Sequence, residues 1–169
     1  MSSRFDVHIR RGQPITMGLL VFFSIIELSI SAWLTARFNQ HHNFPSSSVR
    51  DKTRFILFCS AWTILGAGIY MTLFLLSAGT SALTSVGSHA LFLFMTWVFW
   101  LSAAASITAA YSGGLSCKGN HPPYCGQQNA QEGFAWILWV LSTFALLMII
   151  LRGVAATRRG DGLRGGLIA

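Results

Sequence analysis

Hydrophobic and polar positions along this chain fall into long blocks rather than the short alternations of a water-soluble domain. Four apolar runs cover about Ile15 to Ala36, Phe55 to Ser77, His89 to Tyr111 and Phe134 to Leu151. At about 1.5 Å per helical residue each can cross most or all of a hydrocarbon core roughly 30 Å thick. The pattern predicts an all-α fold, a four-helix transmembrane bundle. Pro14 suits the start of the first helix, where its missing N–H has no partner to lose. The connections 38–54, 78–88 and 112–133 are too short for a soluble domain. The chain therefore divides into an N-tail, 1–14, a membrane domain, 15–154, and a flexible basic C-tail, 155–169. The first run is too long for a signal-peptide core and no small-residue cleavage site follows it promptly, so it is expected to stay in the mature protein.

Within these runs the polar exceptions carry the information. The first, FSIIELSISAW, holds Glu27 near mid-depth, and steps of three and four from it reach Ser24, Ser31 and Thr35, one polar stripe along one helix face. A charge at that depth costs roughly 2.5–3.5 kcal/mol, so the stripe should face protein or water rather than lipid. Three roles are open to Glu27: a hydrogen bond to another span, a proton or ion relay, or a contact between protomers. The first is the expectation, because no other span supplies an evident ionisable partner at depth and His89 lies near the surface. The third run contributes a different pattern. WLSAAASITAAYSGG sets Ser102, Ser106 and Ala110 at four-residue spacing beside Ala105, Ala109 and Gly113, a broad face almost without side chains, suited to close helix packing. Gly66, Ala67 and Gly68 open a smaller approach in the second run. Trp97, Trp100, Trp136 and Trp139 are expected at interfaces or against lipid.

Composition agrees with this class. Of 169 residues 53% are apolar and only 10% charged, and mean hydropathy is +0.54, beyond the range of a soluble domain this size. Four spans put both termini on one side. Arg4, Arg10, Arg11, Arg152, Arg158, Arg159 and Arg164 lie there, against Arg37, Arg50, Lys52, Arg54 and Lys118 opposite. This small excess points to cytosolic N- and C-termini. The net charge of +7 calls for no nucleic acid: Arg10, Arg11, Arg152, Arg158 and Arg159 are placed to meet lipid head groups. An RGD triplet in the C-tail would then face the cytosol, away from any adhesion partner.

The cysteines bear on the same question. Cys117 and Cys125 share the last loop, in GGLSCKGNHPPYCGQ, and a disulfide between them would set that loop in an oxidising compartment. The competing reading, a metal held at Cys117, His121 and Cys125, is one ligand short of a structural zinc set. Cys59 reads as a small buried hydrophobe. His41 and His42 read as solvated loop residues rather than ligands. No nucleophile, base and acid share a suggestive spacing, and no glycine-rich phosphate loop follows a strand, so neither catalysis nor a cofactor is expected. RFDVHIR in the N-tail alternates with period two, as a strand added to a partner's sheet edge would, although a disordered or interfacial tail is the stronger expectation.

Four stretches together, FSIIELSISAWL, FPSSSVRDKTRFILF, SHALFLFMTWVFWLSAAASITAA and SGGLSC followed by YCGQQNAQEGFAWILW, resemble the fungal branch of the MARVEL-domain family. The resemblance covers about residues 12 to 155. It implies a small four-span protein with cytosolic tails that serves membrane apposition, microdomain organisation or trafficking, with no catalytic residue to transfer. Cys117 and Cys125 match the family's loop pair, and Ala103, Ala104 and Ala105 its small-residue run. Claudin-like tetraspans fit less well, since their cysteine pair lies in the first loop.

These readings converge on a non-enzymatic, multi-pass protein of the plasma membrane or secretory-pathway membranes. Its expected partners are membrane lipids and either further copies of itself or a larger membrane protein. The competing class is an accessory subunit or oligomeric channel or transporter component using Glu27 in a polar pathway. Internal repeats or broken helices would favour a transporter, and the sequence has neither.

Overall fold

A computed structural model describes residues 2–75, 86–115, 117 and 122–158, with side chains outside the description at 2–13, 73–75, 86, 152 and 155–158. Four helices follow in order: α1 (Ser2–His41), α2 (Ser47–Leu75), α3 (Val86–Ala110) and α4 (Cys125–Arg158). All four are long and apolar enough to cross a membrane. Their ends follow local chemistry. Residue His42 turns left-handed (φ 50°) and its N–H bonds Phe38 O at 3.1 Å, closing α1. Ser46 caps α2, its Oγ accepting the Val49 N–H at 3.2 Å. Helix α3 stops in a Schellman turn: Gly113 N–H reaches Thr108 O at 3.0 Å and Ser112 N–H reaches Ala109 O at 3.1 Å. Gly113, at φ 103°, holds a conformation that side-chain-bearing residues rarely adopt.

The helices form a ring in which each packs on its two neighbours, α1 on α2 and α4, and α3 on α2 and α4. The core between them holds Leu20, Leu34, Phe38, Ile56, Cys59, Leu93, Trp100, Ile107, Leu138 and Ile149. Outward, Phe22, Ile25, Phe58, Leu65, Ile69, Leu91, Phe94, Ile137, Phe144 and Leu151 stand exposed. An apolar belt on every helix, around an interior that carries the polar groups, suits lipid as the solvent.

Two boundaries differ from the apolar runs. Helix α4 begins at Cys125 rather than near Phe134, because Gln128, Gln131 and Glu132 are helical residues turned inward, the two glutamines bonded by protein at both amide ends and Glu132 accepting from Thr108 through one oxygen. Helix α1 includes residues 2–13, so the N-tail backbone is helical and the alternation in RFDVHIR does not form a strand. Extending a helix already nucleated in the span costs far less than starting a new element. The predicted 78–88 turn lies largely outside the described residues.

Candidate functional site

The polar stripe of α1 lies inside the bundle. Ser24, Glu27 and Ser31 are fully buried and Thr35 is half-buried. Ser31 Oγ lies 2.8 Å from Glu27 O and 3.2 Å from Glu27 Oε1, donating to this pair of acceptors. Gln131 Nε2 donates to Ser31 Oγ at 3.2 Å, and Thr53 Oγ1 donates to Gln131 Oε1 at 3.3 Å. A chain of side chains, Glu27–Ser31–Gln131–Thr53, thus ties α1 to α4 and α4 to α2. Thr35 belongs to the stripe but turns back on its own helix, donating to Ser31 O at 2.7 Å. Gln131 and Thr53 escape a reading of apolar runs, since each sits just outside one. The available signal was Gln128, Gln131, Ala135 and Leu138 at steps of three and four, all of which are buried.

Glu27 does not stand alone as a buried acid. Glu132, 8% exposed at the start of the fourth span, accepts from Thr108 Oγ1 at 2.7 Å through Oε1. Trp136 Nε1 in turn donates to Thr108 Oγ1 at 3.0 Å. Among the described residues the second oxygen of each carboxyl, Glu27 Oε2 and Glu132 Oε2, has no hydrogen-bond partner.

Trp100 corrects the expectation of interfacial or lipid contact, while Trp97, Trp136 and Trp139 are half-buried. Trp100 is fully buried, its Nε1 donating to Thr63 Oγ1 at 3.0 Å. Trp97 and Trp136 reach across the α3–α4 seam, the former to Thr143 Oγ1 at 2.9 Å. Trp139 packs between them, 6.5 Å from Trp97 and 5.5 Å from Trp136 by ring centroids. An indole N–H in hydrocarbon is costly without an acceptor, and the neighbouring threonines supply one to three of these rings. His89, in the first turn of α3, is buried with its ring edge-on to Tyr70 at 4.6 Å.

Cys117 and Cys125 are joined by a disulfide, Cα to Cα 5.9 Å. His121, the third member of the metal alternative, lies outside the described residues. Around the bridge, Gln128 Nε2 donates to Pro123 O at 2.6 Å and Tyr111 Oη donates to Gln128 Oε1 at 2.8 Å. Tyr124 lies against Trp33 and Phe38 of α1. Beside this cluster a groove of about 500 Å³ opens between the end of α3 and the start of α4, lined by Gly113, Gly114, Leu115, Asn129, Glu132, Gly133 and Trp136.

The small face of α3 turns away from the core. Ser102, Ala105, Ala109 and Gly113 are exposed and Ser106 and Ala110 half-buried, while Ala103, Ala104 and Ile107 fill the interior. The bundle therefore leaves this face open. Of the arginines expected at head groups, the side chains of Arg10, Arg11, Arg152 and Arg158 and the whole of Arg159 lie outside the description.

This arrangement holds helices together and presents surfaces; it gathers no nucleophile with a base among the described residues. The chain matches no curated protein and no solved structure. The family model for MARVEL, a membrane-associating domain, matches residues 8–148. That match takes in the first three spans and the fourth as far as residue 148, with the buried polar network and the disulfide loop, and the chain accordingly belongs to the MARVEL family of membrane-associating domains.

Proposed function

We propose that this multi-pass protein is a non-catalytic lateral organiser of its membrane, assembling with further copies of itself through the small-residue face of α3. The observation that carries the reading is the outward exposure of Ser102, Ala105 and Ala109 on a helix whose other side is packed. Helices in lipid associate where small residues let backbones approach, since burying leucine-sized groups gains nothing there. The polar network supports the same reading from inside. Glu27 is buried against Ser31 within one bundle, so it neither reaches a protomer surface nor is needed for one.

The proposal includes orientation. A bridged Cys117–Cys125 loop belongs on the oxidising side of a plasma or secretory-pathway membrane, which sets the basic tails in the cytosol among anionic head groups. Cysteine cross-linking in native membranes tests the assembly. Single replacements Ala105→Cys and Ala109→Cys should yield cross-linked dimers under mild oxidation, whereas Ile69→Cys, exposed on α2, should not. Equal cross-linking at all three positions, or none, would remove the α3 face from the account.

A further inference from the structure

We propose that the Cys117–Cys125 bridge is a thiol-exchange site: an incoming thiolate takes Cys117 as a mixed disulfide, and Cys125 leaves as a thiolate kept in place at the start of α4. The two cysteines are placed differently. Cys117 is exposed, beyond Gly113 and Gly114, whereas Cys125 is 5% exposed and is the first residue of a 34-residue helix. A thiolate opens a disulfide by reaching one sulfur from the side opposite the other, so access selects Cys117 as the sulfur attacked. The helix start receives the charge that leaves. Gln128 N–H, 3.0 Å from Tyr124 O, makes the first bond of α4, and the N–H groups ahead of it have no helix carbonyl to bond. Those N–H groups favour negative charge beside them and so offset the water that burial takes from the departing Cys125 sulfur.

Opening the bridge leaves Cys125 where it is. On one side of it Tyr124 packs on Trp33 and Phe38, its hydroxyl accepting from Asn43 Nδ2 at 3.3 Å. On the other, Gln128 donates to Pro123 O at 2.6 Å and accepts from Tyr111 Oη at 2.8 Å. These contacts do not depend on the bridge, so Cys125 stays beside the loop as the resolving thiol. The step balances: the entering sulfur bonds Cys117 Sγ, and the Cys117–Cys125 bond breaks with its electron pair going to Cys125 Sγ. One disulfide and one thiolate stand on each side, so no separate oxidant or reductant is needed. Attack by Cys125 on Cys117 Sγ reverses the step and releases the thiol. The entering thiolate belongs to a small thiol such as glutathione or to a cysteine of another protein, with the same chemistry at Cys117. Exchange is a property of a single chain and does not rest on self-assembly through α3.

The full chain in nanodiscs, incubated with millimolar reduced glutathione, quenched with acid and mapped by peptide mass, shows which sulfur is attacked. Glutathione should stand on Cys117 over Cys125 by about tenfold, a difference of about 1.4 kcal/mol between the two mixed disulfides. Its removal should restore the bridge. A bridge that takes up no glutathione would overturn the proposal, as would glutathione shared equally between the two cysteines or carried mainly by Cys125. Two variants read the same preference without the bridge: given oxidised glutathione, Cys125→Ser should gain it on Cys117 about tenfold faster than Cys117→Ser gains it on Cys125. Equal rates would count against the proposal. Cys125→Ser, which lacks the resolving thiol, also separates the sources of thiolate in its native membrane. Glutathione on Cys117 assigns a small thiol, a larger species released by reductant assigns a protein thiol, and a free Cys117 would overturn the proposal.

Discussion

Replacing Gln131 by leucine removes a side chain that joins three helices. Its amide is fully buried and makes two interhelical bonds, to Ser31 Oγ at 3.2 Å and from Thr53 Oγ1 at 3.3 Å. Interhelical hydrogen bonds in membrane proteins average about 0.6 kcal/mol, so the two sum to roughly 1.2 kcal/mol. The change also strands a donor. Ser31 keeps its bonds to Glu27, but Thr53, fully buried, loses the acceptor that Gln131 gives it, at about 1–3 kcal/mol if no other is found. Leucine is close in volume to glutamine, so little cavity cost is added. The expected loss is therefore about 1–3 kcal/mol, measured by reversible unfolding in bicelles titrated with dodecyl sulfate and followed by helicity. Gln127→Leu, exposed one turn earlier on the same helix, is the matched control and should change stability by less than about 0.5 kcal/mol. A cycle with Ser31→Ala isolates the α1–α4 bond and should give a coupling of about 0.6 kcal/mol. A Gln131→Leu chain as stable as the native one would refute the network as a source of stability.

Other consequences follow from the packing. Gly66→Ala should destabilise by about 1–3 kcal/mol in the same titration, because its β-carbon would overlap the Phe92 ring, itself held by Trp62 and Tyr70. Gly68→Ala, where the added carbon meets open space, should be neutral or stabilising by up to about 1 kcal/mol. Trp100→Phe should cost about 1 kcal/mol or more through the lost bond to Thr63, and Thr63→Val should add little once Trp100 is gone. Opening the Cys117–Cys125 bridge, which spans a sequence separation of 8, should cost about 2.5 kcal/mol by loop entropy. Maleimide labelling should reach these two thiols only after reduction.

How far the fold could be read from the sequence depended on whether a residue's partner was lipid or protein. Runs such as Phe55 to Ser77 and His89 to Tyr111 were legible because a membrane span requires near-continuous apolarity at bilayer length and a soluble helix, with one face in water, does not. The inward stripe Ser24–Glu27–Ser31 was legible too, since polar groups at helical spacing in hydrocarbon must face protein. Its receivers were not: Gln131 and Thr53 lie beside apolar runs, where polarity looks like loop until α4 is known to start at Cys125. Trp100 misled for the opposite reason, because an indole is interfacial by habit and only the nearby Thr63 hydroxyl makes an interior position tolerable. The α3 face was visible as composition, and whether it pointed inward was decided by the larger Trp100 and Ile107 taking the core side.

An interior closed by Glu27 and its partners contrasts with an α3 face left open for another copy. The mass of the particle extracted from its native membrane in a mild polymer tests that contrast for the native chain, Glu27→Gln and Ala109→Trp. The native chain and Glu27→Gln should give the same discrete multimer, and Ala109→Trp, which raises a bulky ring on the open face, should give the monomer. A monomeric native chain would contradict assembly through α3, and so would a multimer that survives Ala109→Trp but falls apart in Glu27→Gln.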